Sequence, residues 1–473
     1  MSDIGIALAT VLGLFVMILG GVPVGFSLIA MSMLGMVLLT GGVDLPLSLL
    51  GTTSFAAVRN YVFVVVPLFI LMGAFMTNSR VAAHLYAGAH LFVRKITGGL
   101  GIATVFANTV FSAATGVSVA SAAIFSTIAL PEMERHGYQK RLALGTIAGS
   151  SVLGMLIPPS LLMILYGLLT GVSIGALFVG GIVPGILLAA LYCLSIYLRV
   201  KRTPSLVDDP AMRRPVPAGG AGPEPPSTLE SERAVKVAPG ASSAISPADV
   251  ERALDGRAGM TLARSVPVMG LVALVIGGIW GGIFSPTEAS AIGAFGALVV
   301  GLFSGLSGRG VLASLKDTAV SVGAIMLLLV SAQLYSRMLS LSGASTWVAD
   351  LLTDAFTSTL VIVLVFVGVL IVLGMVLDSS SIIMLAVPLM FPVILTAGID
   401  PLWFGIVMIV AVEVGMLTPP FGMVPFAMSA VLGNRASAED VFVGAFPFVV
   451  VMLFFLLLLV VFPPLSTWLP GIL

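Results

Sequence analysis

Gly154-Met155-Leu156-Ile157-Pro158-Pro159 lies in the middle of an apolar run, and nearly the same string, Gly415-Met416-Leu417-Thr418-Pro419-Pro420, returns 261 positions later. Proline lacks the amide proton that the helical ladder needs, and its ring clashes with the preceding turn, so a glycine followed by a proline pair breaks a helix. Both runs are long enough to cross a bilayer, and each therefore predicts a membrane helix interrupted at mid-depth. Unwound backbone is tolerated there only where it is buried in protein or lines a cavity. A matched pair of breaks, one in each half of the chain, points to a secondary transporter with its site between two structural repeats.

The composition agrees. The chain has 473 residues, a mean hydropathy of +1.17, 59% hydrophobic residues and 9% charged ones, against about 25% charged in ordinary soluble domains. Of its 21 basic and 21 acidic residues, 18 fall between Arg199 and Arg264, which leaves the membrane part nearly free of charge. Formal net charge is zero and the isoelectric point is about 6.8, so nothing suggests a nucleic-acid partner. The single cysteine, Cys193, sits in an apolar span and allows neither an intrachain disulfide nor a thiolate metal cluster. The first apolar stretch starts at Ile4 with no basic region before it, and reads as a retained helix and not a cleaved signal.

Outward from the two breaks, the chain divides into a first repeat at 1–198, a linker at 199–264 and a second repeat at 265–473. The first repeat reads as spans at 4–20, 24–40 and 55–77, an amphipathic helix at 79–95 lying along the interface, a hairpin at 98–131, the broken helix at 141–167 and a span at 176–198. The hairpin is inferred from Ser112-Ala113-Ala114-Thr115-Gly116-Val117-Ser118, a small and polar patch that a straight membrane helix would not favour. The second repeat runs in the same order, with spans at 266–284, 287–306 and 318–339, an amphipathic stretch at 347–356, a hairpin at 359–392, the broken helix at 400–431 and a last span. At the offset of 261, Pro131 and Gly137 fall on Pro392 and Gly398, and Ser118 falls on Ser379. No aromatic residue occurs over 203–263, and Pro223-Glu224-Pro225-Pro226 is typical of the composition there, which predicts a disordered or weakly structured linker. Basic clusters at Arg94 and Lys95, at Arg135, Lys140 and Arg141, and at Arg199, Lys201 and Arg202 should be cytoplasmic by the positive-inside rule. Continued through Arg264, Arg309, Lys316 and Arg435, that rule makes the linker cytoplasmic, places both termini in the periplasm and brings the second hairpin in from the opposite face. The predicted fold is an all-α polytopic membrane protein of two inverted repeats, with about ten transmembrane helices plus two re-entrant hairpins.

Hairpin tips and helix breaks bring free carbonyls, hydroxyls and helix N-termini to one depth. Oxygen ligands suit a hard cation such as sodium, and the positive ends of half-helices suit a carboxylate. One sodium site is predicted from Ser112, Thr115, Gly116 and Ser118 with Gly154, Ile157 and Pro158, and a second from Asp378, Ser379 and Ser380 with Gly415, Thr418 and Pro419. An anionic substrate would lie between them, at Ser118, Pro159, Ser160, Ser381 and Pro420. The competing reading of the small residues is close helix packing. Asp378 is either a cation ligand or a group in the water-filled mouth of its hairpin, and Glu413 is either part of the site or a structural brace bonded from the other repeat; an acid at membrane depth is a functional hypothesis by default. Glu288 follows Ser285-Pro286-Thr287 and reads as a first-turn carboxylate, while Asn108 and Thr109 either bond the first hairpin tip or pack. His84, His90 and His136 are not spaced as metal ligands, and no nucleophile-base pair, P-loop or nucleotide fingerprint is present, which argues against an enzyme and against ATP bound to this chain as the driving force.

The residues Gly99-Leu100-Gly101-Ile102-Ala103-Thr104 through Ser112-Ala113-Ala114-Thr115-Gly116, the segment 149–160, Phe284-Ser285-Pro286-Thr287-Glu288-Ala289 and the segment 415–421 together resemble the large membrane subunit of tripartite ATP-independent periplasmic (TRAP) transporters, the DctM-like family. The resemblance covers the chain outside the linker, which is longer than the family leads one to expect. It implies an elevator-type carrier of the ion-transporter superfamily, driven by sodium as coupling ion, with no organic cofactor. It also implies a small four-helix membrane subunit (DctQ-like), expected as a separate chain, and a periplasmic substrate-binding protein (DctP-like) that delivers a small carboxylate to the bacterial inner membrane. The runner-up is a stand-alone sodium-coupled anion or dicarboxylate symporter that needs no binding protein.

Overall fold

The computed structural model describes residues 2–93, 95–207, 258–356 and 358–472. The expectations for 208–257, which hold most of the linker, and for Arg94 lie outside the described residues. Among those residues every regular element is a helix. The first half contains α1 (Asp3–Leu19), α2 (Val24–Thr40), α3 (Asp44–Arg59), α4 (Val65–Thr77), α5 (Val81–Val93), α6 (Gly99–Thr115), α7 (Ser118–Arg135), α8 (Lys140–Ser151), α9 (Leu161–Thr170) and α10 (Ile174–Arg202). The second half contains α11 (Ala258–Trp280), α12 (Pro286–Phe303), α13 (Gly308–Leu341), α14 (Ala344–Ala355), α15 (Thr359–Gly374), α16 (Ser379–Thr396), α17 (Pro401–Leu417), α18 (Met423–Leu432) and α19 (Ala438–Val461). The order repeats: α7 maps onto α16 from first residue to last at the offset of 261, and α8 and α17 start in register.

Length separates two kinds of helix. Among the described residues five, α10, α12, α13, α16 and α19, are long and apolar enough to cross a bilayer alone, and α3 with the Tyr61–Thr77 segment, bent by 59°, makes a sixth candidate. Other apolar helices are 10–17 residues long, at or below the roughly 17–25 residues a span requires. They include hairpin arms and half-helices, which need only reach the middle.

Four expectations are corrected. The third span, expected at 55–77, is broken at Asn60, whose side-chain oxygen caps Val62 N at 3.0 Å, and helix continues upstream of it to Asp44; its second-half counterpart α13 is one uninterrupted helix of 34 residues. Helix α5 is not the half-exposed amphipathic helix expected: Val81 to Gly88 are all buried, packed against α6 and α11. The first hairpin does not end at Pro131, nor the second at Pro392, because both prolines are carried inside α7 and α16. Finally, α10 continues to Arg202 and α11 starts at Ala258, so the linker expected over 199–264 is helical at both described ends.

The helices pack as two groups. Helices α1 to α4 lie with α12 and α13, while α6 to α10 lie with α15 to α19. Contact between halves is pervasive, through α2 with α13, α4 with α12, α8 with α19, and α9 with α16. The α8–α19 crossing is so close that a methyl group at Gly145 would overlap the Gly444 carbonyl, and one at Gly444 would overlap that of Arg141. At its end Asp440 lies 3.4 Å from Lys140 Nζ and 3.7 Å from Arg141 Nε, and Arg435 donates to Glu134 at 2.8 Å.

Candidate functional site

Each hairpin tip is shaped by local chemistry. Helix α6 ends where Gly116 takes the left-handed conformation at φ 68°, its amide bonded to the Ser112 carbonyl at 2.8 Å; Val117 is extended and Ser118 opens α7. At the second tip Asp378 caps α16, accepting from Ser381 N at 3.0 Å and Ser381 Oγ at 2.5 Å. The first break runs from a 3-10 turn at Val152–Met155 to Ser160, which caps α9 by accepting from Met163 N at 3.4 Å. The second separates Leu417 of α17 from Met423 of α18. Both Pro-Pro bonds, Pro158-Pro159 and Pro419-Pro420, are cis.

Each tip is set against the break of its own half. In the first, a methyl at Gly154 would overlap the Ser112 side chain, and one at Gly116 would meet Leu161 at 3.6 Å and the Pro159 carbonyl oxygen at 3.9 Å. Ser112 Oγ donates to the Ser151 carbonyl at 2.5 Å, and Thr115 Oγ1 to the Ser112 carbonyl at 3.2 Å. In the second, Gly374 and Gly415 face each other, and Thr418 Oγ1 donates to the Val414 carbonyl at 2.6 Å. A hydroxyl that donates a hydrogen bond still has lone pairs to offer, so Ser112, Thr115 and Thr418 each keep acceptor capacity after these bonds. The remaining predicted residues divide less evenly. Ser381 and Asp378 are engaged with each other in the α16 cap, which turns that carboxylate toward its own helix. Ser380 is half-buried at the same tip. Pro158, Pro159 and Ser160 are buried and Ile157 half-buried, whereas Pro419 and Pro420 are exposed and Thr418 is half-buried. The two breaks are alike in sequence and unlike in surroundings.

Two further groupings emerge. Glu413, 1% exposed, accepts from Ser379 Oγ at 2.9 Å, and the Ser118 hydroxyl of the first tip lies beside the same carboxylate. Asn108 donates to Ser150 Oγ at 2.7 Å and to the Ile147 carbonyl at 3.0 Å, and its own carbonyl oxygen accepts from Ser121, tying both arms of the first hairpin to α8. Neither alternative expected for Asn108 describes this: its partners are Ser121 of the inner arm and two residues of α8, not the tip at 115–118. The register that aligns Ser118 with Ser379 was the signal for the first grouping; nothing in the sequence marks the partners in the second. Glu288 accepts from Ser285 N at 2.8 Å in a capping box, the first-turn role expected for it.

Two hairpins facing two interrupted helices, in a helical bundle repeated twice along the chain, define a membrane transporter fold. Comparison with known proteins narrows this: the family described as "Tripartite ATP-independent periplasmic transporter, DctM component" matches residues 11–465, and the chain belongs to that family. It is 31% identical over 423 residues to the C4-dicarboxylate TRAP transporter large permease protein DctM of Pseudomonas aeruginosa, covering 88% of each chain. It is also 31% identical over 464 residues to the ectoine/5-hydroxyectoine TRAP transporter large permease protein UehC of Ruegeria pomeroyi, covering 97% of each. Among solved structures, the Alcanivorax borkumensis YdaH transporter aligns with a TM-score of 0.59 at 15% identity over 89% of each chain, a likeness of fold. The protein is a TRAP large permease, in a family of transport proteins and not of enzymes.

Proposed function

We propose that this permease imports an organic acid by sodium symport, moving its two hairpins and broken helices as an elevator. The observation that carries the reading is the pairing of each hairpin tip with a helix break, where Ser112, Thr115 and Thr418 have given their protons to carbonyls and present lone pairs. Hard oxygen donors of that kind suit sodium. The first site is assigned to Ser112, Thr115, Gly116, Ser118, Gly154, Ile157 and Pro158, and the second to Asp378, Ser379, Ser380, Gly415, Thr418 and Pro419. A carboxylate substrate is placed toward the N-terminus of α9, at Pro159 and Ser160, with Ser118, Ser381 and Pro420 across from it; a helix N-terminus favours an anion. Support for elevator motion is the division of the bundle into two packed groups, one holding the hairpins and breaks. As a TRAP large permease, it would work with a small membrane subunit and a periplasmic substrate-binding protein, in the bacterial inner membrane with its termini in the periplasm. The relatives' names cover both C4-dicarboxylates and ectoine; a dicarboxylate is the choice that best uses a pair of helix ends.

The test is thermal unfolding of the permease with its small subunit across a sodium series, with choline holding ionic strength constant. A ligand that binds only the folded state stabilises it by about 2.7 kcal/mol at a hundred times its dissociation constant. Sodium should raise the midpoint, and Thr418→Val should blunt the rise while leaving the midpoint in choline within a few degrees. A midpoint indifferent to sodium would overturn the sodium assignment.

A further inference from the structure

Glu413 is the one fully buried acidic side chain among the described residues. It lies on α17 two positions before Gly415, with no cation beside it. An isolated carboxylate in such a place costs several kcal/mol unless its surroundings compensate, so what surrounds it matters. Oε1 accepts from Ser379 Oγ at 2.9 Å, while Oε2 has no hydrogen-bond partner although the Ser118 hydroxyl is beside the carboxylate. Ser118 and Ser379 are related by the 261-residue register, and each is the first residue of the inner arm of its hairpin, α7 and α16. The first-turn amides of α7 have no side-chain cap from Val117. The first residues of two helices, one from each half, therefore meet at one buried carboxyl group. The position equivalent to Glu413 in the first half is Val152, so one half supplies the group that both tips use.

We infer that Glu413 is a positioning residue that ties the two hairpin tips together, Oε1 held by Ser379 and Oε2 reserved for Ser118. Displacement of either tip from the carboxylate then loosens the other. That the tips bind ions and substrate is the reading given above, and on it this link couples the two sites; the link itself needs no ion.

Hydrogen exchange read by mass spectrometry, on the permease with its small subunit in nanodiscs and without sodium, tests the link directly. Glu413→Met keeps the length of the side chain and removes both acceptor oxygens, whereas an amide would still pair with a serine hydroxyl, which can accept as well as donate. Loss of a buried hydrogen bond is worth a factor of up to about ten in local opening, so exchange at 116–121 of the first tip should rise severalfold, with a rise at 379–382, while α2 and α12 stay unchanged. Ser118→Ala should raise exchange at the first tip by itself, and should add nothing there when combined with Glu413→Met. A rise confined to 379–382 would make Glu413 a brace of its own hairpin, and a rise in every helix would make it a generic core residue; either overturns the proposal, as does a multiplicative effect of the two substitutions. Should Glu413→Met not accumulate, Ser118→Ala and Ser379→Ala singly and together keep the question open to decision: coupling through one carboxyl group requires a non-multiplicative effect on exchange at the tips, and independence overturns it. A failed sodium titration would leave this result standing, and a failed exchange experiment would leave the sodium assignment standing.

Discussion

A methyl group at Gly415 would sit 2.5 Å from the Ile371 carbonyl oxygen and 2.6 Å from Gly374 Cα, and one at Gly154 would overlap Ser112. These contacts are with backbone or a locked side chain, so the helices must separate to admit the extra carbon. Overpacking of this kind costs about 1–3 kcal/mol. Gly368, in α15, has nothing within 4 Å of an added methyl, and alanine there gains up to about 1 kcal/mol of helix propensity. Thermal midpoints should therefore fall for Gly154→Ala and Gly415→Ala and hold or rise for Gly368→Ala; equal shifts in all three would contradict the close crossings. The motif made both glycines visible in the sequence, but as helix breakers and backbone ligands. The partner of Gly154 was legible as well, since Ser112 opens the small polar patch of the first hairpin; that of Gly415 was not, because Gly374 lies about forty residues upstream and carries no motif. For Glu413 the sequence left two roles open. Its bond to Ser379 places it against the second tip, and the Ser118 hydroxyl of the first lies beside it.

Helix α5 shows what flanking charge can conceal. Arg80 precedes it and Lys95 follows it, which suggests a helix resting at an interface, yet its body carries Ala82, Ala83, Ala87 and Gly88, all buried. Small residues let helices approach closely. Ser265 of α11 reaches across to donate to the His84 carbonyl at 2.7 Å, and Gly88 is the position that leaves it room. The stripe of alanines was the signal to weigh above the end charges; α14, with two buried residues, is the surface helix its sequence describes. In a Cys193→Ser background, Leu85→Cys (native side chain 4% exposed) should resist a membrane-permeant maleimide and Phe92→Cys (70%) should react; comparable labelling of both would return α5 to the surface. Hairpins and breaks were legible because glycine, proline and small polar residues punctuate apolar runs. The start of α3 was not, since Pro46, Ser48, Thr52 and Thr53 dilute its hydropathy to that of a loop.

At the scale of the molecule, the two halves cannot be set apart. The α8–α19 crossing, with Gly145 on Gly444, joins them where the backbone comes closest, and α2 with α13 and α4 with α12 join them again. Each half alone would expose these surfaces. Halves expressed as separate chains, divided within 208–257, should copurify and unfold as one unit, while either by itself should fail to accumulate; an independently stable half would refute the interlock. The Lys140–Asp440 and Arg141–Asp440 pairs at the end of that crossing are partly exposed, and such pairs are worth about 0–1 kcal/mol, so the glycines and not the charges decide its stability. The internal repeat was readable because one motif recurs at a fixed spacing, and the spacing carried the rest of the register. What it could not convey is that the first break is enclosed and the second open, since that difference belongs to the packing of neighbours and not to the strings themselves. The pairing of Glu413 with Val152 has a consequence of a different sort. Where like parts face each other across an axis, whatever lies on the axis can be counted only once: two acids would set charge against charge over the same pair of serines, and none would leave two helix ends opposed across an apolar gap. A chain that says nearly everything twice must say this once, and the place where it stops repeating itself marks its centre.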